Sequence, residues 1–121
     1  MATPMSNPDF IYKVVTRANA EAAEARGDFP QAPIDERDGY IHFSTAGQLR
    51  ETLRLHFAGQ ADLMLLSIKP ADLGKGLRWE PSRGGQLFPH HHGPLGWDAV
   101  TNSARIAVAA DGAVTLPDWV R

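Results

Sequence analysis

The segment Leu63-Met64-Leu65-Leu66-Ser67-Ile68 is apolar except for one serine and shows no alternation. A strand with one wet face alternates polar and apolar residues, so an unbroken run predicts a strand covered on both faces near the centre of a sheet. Its longest fully apolar stretch, Leu63–Leu66, is far too short for a bilayer core of about 30 Å. The cover must therefore come from the rest of the 121 residues, and without cross-links, because the chain has no cysteine. One compact domain held by packing is the expected result. The lack of thiols also excludes a thiolate metal site and a cysteine nucleophile, and it fits a reducing cytoplasm.

The flanking segments supply the cover. Phe10–Val15 reads as a strand running into Thr16, a good helix N-cap, with a helix over Arg17–Arg26 closed by Gly27. Asp28–Asp38, with two prolines and four acidic residues, reads as a surface loop. Gly39–Ser44 is a second strand, and Thr45-Ala46-Gly47-Gln48 matches a capping box opening a second helix. On that helix Leu49, Thr52, Leu53, His56 and Phe57 follow helical spacing, which puts His56 at the margin of a packing face before Gly59 ends the element. Leu77–Glu80 forms a brief strand and Pro81–Gly85 a loop. Gln86–His92 is extended, and Pro89 restricts it to an edge or a strand start. Arg105–Ala109 and Ala113–Leu116 flank Asp111-Gly112, a hairpin signal, and Trp119 closes the core. Met1–Asp9 reads as a disordered arm without signal-peptide character. The expectation is a single compact α+β domain over 10–121 with two main helices, ending in antiparallel sheet.

Chemistry-bearing residues concentrate in Gly39–Thr45 and Arg83–Leu95. Alternation puts Tyr40, His42 and Ser44 on one strand face and Ile41 and Phe43 on the other. The polar face leads to a helix N-terminus, where His42, Ser44 and Thr45 can hold a phosphate or carboxylate, or simply cap and brace the helix. In His90-His91-His92, the first and third histidines share a face if the segment is extended. That suits an anion or a metal, but no spacing completes a set of three metal ligands. Arg83 in its glycine loop can clamp an anion, and Glu80 beside Trp79 can act as acid or base or as an ion-pair partner. The near-neutral net charge of -2 disfavours nucleic acid, leaving a small molecule as the expected partner. Oligomeric state is left open.

Gly39-Tyr40-Ile41-His42-Phe43-Ser44, the Asp62–Ile68 block, Leu77-Arg78-Trp79-Glu80, Phe88-Pro89-His90 and Gly93-Pro94-Leu95 resemble, in order and spacing, a bacterial family, domain of unknown function 952. The resemblance covers Phe10 to Val100. It implies a fold similar to ADP-ribosyltransferases, small and mostly antiparallel sheets forming a cleft in which NAD is bound, making NAD a candidate ligand. Relatives of that fold place a His or Arg on the first strand, where this chain has Lys13. Their late-strand glutamate falls on Gln86. Read with the resemblance, the residues give a small-ligand domain for a nucleotide-like or phosphate-bearing molecule. His42 or His90 is the acid/base, with Ser44, Thr45, Glu80, Arg83 and His92 on the ligand. A non-catalytic interaction module and a histidine metal-binding protein are the alternatives.

Overall fold

The computed structural model describes residues 8–30 and 33–120. The arm expected over Met1–Asp9 lies outside the described residues up to Asn7. The order is β1 (Ile11–Thr16), α1 (Arg17–Arg26), α2 (Pro33–Asp38), β2 (Ile41–His42), α3 (Ala46–Phe57), β3 (Leu63–Ile68), β4 (Leu77–Pro81), β5 (Leu87–His91) and β6 (Val100–Ile106), with short 3-10 turns between the later strands. The strands form two three-stranded antiparallel sheets, β1-β3-β6 and β2-β5-β4, in one small α+β domain.

The Leu63–Ile68 run is the middle strand of the first sheet, with β1 and β6 on either side. Its two faces feed two cores. Leu66 and Ile68 pack with Ile11, Val15, Ala20 and Ala23 under α1, while Leu63 and Leu65 pack with Leu49 and Leu53 of α3. Leu65 and Leu66 are fully buried, and burying each contributes about 1.5–3 kcal/mol. The helix ends follow the sequence. Thr16 accepts from the Asn19 amide, Gly27 closes α1 at φ 97°, and the Thr45–Gln48 box caps α3. Trp119 stacks on Tyr12 in the second core, with ring centroids 6.3 Å apart.

Three expectations are corrected. Asp28–Asp38 is not all surface loop: it contains α2, and Asp35 is 1% exposed. Pro89 is not at an edge, since β5 is the middle strand of the second sheet. Its carbonyl accepts from the Phe43 amide (3.0 Å) just past the end of β2, so its missing N–H falls where the short β2 ladder has already stopped. Asp111-Gly112 does form a turn, closed by the Ala113 amide donating to Asp111 and the Gly112 amide to the Ala109 carbonyl. No strand follows it among the described residues, because Gly112 packs against Arg54 and the Val114 carbonyl accepts from Arg50, both on α3.

Backbone hydrogen bonds join the two sheets at Tyr12 and Ser44. The Tyr12 amide donates to the Ser44 carbonyl and the Ser44 amide to the Tyr12 carbonyl, both at 2.8 Å. The chain is thus bonded to the second sheet at His42 and to the first at Ser44, and the sheets diverge from there.

Candidate functional site

That divergence opens a cavity of about 470 Å³ bounded by β1, α3, the Ser82-Arg83 turn and the second sheet. Cross-strand pairing fixes what faces it. His42 lies opposite His90, and Arg78 opposite His90, so these side chains emerge on one face. Phe88 and His90, two residues apart on β5, both line the cavity. Ile41 turns the other way into the first core, as alternation predicts, whereas Phe43 packs in that core and also lines the cavity beside Lys13.

His42 is bound on both ring nitrogens: Nδ1 lies 2.7 Å from Asp35 and Nε2 3.0 Å from Asp38. Carboxylates only accept, so both contacts together require a hydrogen on each nitrogen. Asp35 is also reached by the buried Lys13 ammonium at 3.1 Å, which donates in addition to the His42 carbonyl at 3.2 Å. Burial by itself would raise the Asp35 carboxyl, but the hydrogen bond from His42 and the charge of Lys13 hold it below the usual carboxylate range. Burial lowers Lys13, with Asp35 opposing. The Lys13–Asp35–His42 chain thus ties β1, α2 and β2 together at the inner end of the cavity.

His90 has a different environment. Its Nδ1 lies 2.9 Å from Glu80 Oε1, which His92 Nε2 also contacts at 2.9 Å. Tyr40 stacks on His90 at 4.2 Å and touches His42 and His92 at 4.7 and 5.2 Å. Burial draws His90 below the usual histidine range, with Glu80 opposing and the neighbouring His42 and His92 adding to the lowering. The hydrogen bonds from His92 and His90 hold Glu80 below its ordinary value.

At the mouth, the Arg83 guanidinium lies 4.9 Å from the Phe88 ring centre and donates to the Thr52 hydroxyl at 3.3 Å, which is 3.1 Å from Ser44 Oγ. Arg83 makes no salt bridge among the described residues.

Of the residues singled out from the sequence, His42, Ser44, Arg83 and His90 line the cavity together. Glu80 and His92 sit behind His90. Thr45 does not line the cavity, because its hydroxyl accepts from the Gln48 amide at 3.3 Å. His56, read as packing, is exposed on the rim. His90 and His92 converge on a carboxylate, and the described residues contain no group of three His, Asp or Glu placed to hold a metal ion. No helix among them is long and apolar enough to cross a membrane. Asp35 and Asp38 escaped sequence reading. The one signal for them was Lys13, a lysine between Tyr12 and Val14 on a buried strand, which demands a counter-charge.

No curated protein matches the chain. Among solved structures it is similar to CC0527 from Caulobacter crescentus. The crystal structure of that protein is 43% identical, covers 88% of this chain and 93% of its own, and superposes with a TM-score of 0.82. A double mutant of the same protein gives 42%, 88%, 93% and 0.82. Its solution NMR structure gives 44%, 87%, 90% and 0.77. The family described as Protein of unknown function (DUF952) matches residues 14–103, across both sheets and the cavity between them, and this chain belongs to that family.

Proposed function

We propose that the cavity binds a phosphate-bearing small molecule of nucleotide-like type, in an arrangement similar to ADP-ribosyltransferases. The observation that carries this reading is Arg83. It is a cation at the mouth of a ligand-sized cleft, fixed by Phe88 and Thr52, with no carboxylate paired to it among the described residues. Glu51, which feels its charge, is engaged by both guanidinium contacts of Arg54, at 2.7 and 2.8 Å. A guanidinium so placed suits the planar, bidentate recognition of a phosphate. Aromatic walls at Tyr12, Phe57 and Phe88 offer flat apolar surface for a base or sugar.

The fold analogy is supported by the two small sheets, by the cleft between them, and by Lys13 and Ser44 at its inner wall. It stops short of ADP-ribosyl transfer. Gln86, at the position of the late-strand glutamate, is exposed and accepts from Gln48 at 3.4 Å, while Glu80 serves His90. NAD is therefore a candidate ligand and not an assigned substrate.

Calorimetric titration with NAD, ADP-ribose and inorganic phosphate tests the reading. Binding of at least one of them, weakened about tenfold or more in Arg83→Ala, is expected. No heat from any of the three would overturn it.

A further inference from the structure

A ligand held at Arg83 extends inward along β5, and the next polar group on that strand is His90. Phe88, under the Arg83 guanidinium, and His90 lie two residues apart on one face, about 7 Å along a strand. That is the span of a phosphate plus the first ring of its ester.

The two ring nitrogens of His90 are not equivalent. Nδ1 faces Glu80 Oε1 at 2.9 Å, and a carboxylate there requires Nδ1 to carry the hydrogen. Nε2 has no hydrogen-bond partner among the described residues. Among those residues the side-chain nitrogen that is both fully enclosed and unpartnered is Nδ1 of His91, which points away from the cleft. Nε2 of His90 is not enclosed in this way, although its side chain is only 2% exposed. It therefore opens onto the cavity that His90 lines. Tyr40 stacked on one side and His42 set edge-on at 5.4 Å oppose a half-turn of the ring, which would put Cδ2 where Nδ1 now meets Glu80. His42 cannot provide the same acceptor, since both of its nitrogens face carboxylates.

We propose that Glu80 is a positioning residue that fixes His90 with Nε2 unprotonated, so that the cleft accepts a hydrogen bond from a ligand hydroxyl and selects a sugar phosphate over phosphate alone. The burial that disfavours the charged form of His90 acts in the same direction. The inference rests on the reading of Arg83 as the phosphate anchor and adds the group that lies one ring away from it.

Two measurements test it. Long-range proton–nitrogen NMR on histidine-labelled protein at pH 7.5 reads the tautomer directly. Nδ1 protonated and Nε2 bare is expected, with the Nε2 resonance moving on addition of ribose 5-phosphate and not of inorganic phosphate. A protonated Nε2 would overturn the proposal. Calorimetry with the same two probes is expected to favour ribose 5-phosphate by about tenfold, the worth of one buried hydrogen bond. The preference is expected to vanish in His90→Phe, to fall severalfold in Glu80→Leu, and to return in Glu80→Gln, whose amide oxygen still accepts from Nδ1. Equal affinity for the two probes in the unmodified protein would sink the hydroxyl acceptor while leaving Arg83 as a phosphate site. Failure of both probes to bind would overturn this inference, and the phosphate reading with it if NAD and ADP-ribose give no heat either.

Discussion

The two sheets have the same plan, with three antiparallel strands and a buried strand in the middle, yet the middle strands are buried by opposite means. β3 is covered by leucine and isoleucine packing, and its one polar side chain, Ser67, lies 2.7 Å from the Thr101 hydroxyl on the adjacent strand. β5 carries Phe-Pro-His-His, and on its cleft face burial is made tolerable by acids brought from β4 and α2 to His90 and its neighbour His42. Apolar burial needs only volume. Polar burial needs a partner for every donor, and those partners are what give the second sheet a chemically specific face.

The sharpest way to break this contrast is to remove one partner. Asp35→Ala leaves the Lys13 ammonium buried without its carboxylate, a loss of about 3–5 kcal/mol by chemical denaturation. The same residue sets an acid branch. Because the folded Asp35 carboxyl is held below its ordinary value, its stabilisation is complete above about pH 3.9 and is lost as the pH falls through the lower folded value. Unfolding curves taken down to pH 3 should show this decline in the unmodified protein and a shallower one in Asp35→Ala. Equal slopes would remove Asp35 from the account.

On the other sheet, Leu65→Ala deletes a fully buried side chain from β3, with an expected cost of about 2–5 kcal/mol in the same assay. Phosphate-ligand affinity per folded molecule should be unchanged, since Leu65 does not line the cavity. An affinity loss matching the stability loss would show that the two sheets do not divide the work. The smallest effect is at Thr45. Its hydroxyl caps α3, so Thr45→Ala should cost about 1 kcal/mol and leave ligand affinity untouched. A tenfold loss of affinity there would move the helix end into the site.

What the sequence made legible was local. β1 into α1, the capping box and the β3 run are each encoded within a few residues of where they form. The α2 helix was missed because its six residues are too few for a helix to persist by propensity, and Asp35 is held by Lys13, 22 positions away. The terminal hairpin was over-read for the converse reason: Asp111-Gly112 sets a turn and the Ala109 amide donates across it to the Ala113 carbonyl, but the next carbonyl, of Val114, accepts from Arg50 on α3 instead of a ladder partner. Within the site, alternation brought His42 and Ser44 to one face. It had no means of showing that Asp35 and Asp38 occupy both nitrogens of His42 and leave His90 as the side chain with an open one.

The Tyr12–Ser44 pair, with its two 2.8 Å hydrogen bonds, has a mechanical consequence. A jaw whose halves are joined by adjoining links of one short segment, His42 on one half and Ser44 on the other, has little travel. Spreading it would strip both amides of their acceptors at once. The width of the opening is therefore expected to stay fixed, and slow amide hydrogen exchange at Tyr12 and Ser44 would be its signature.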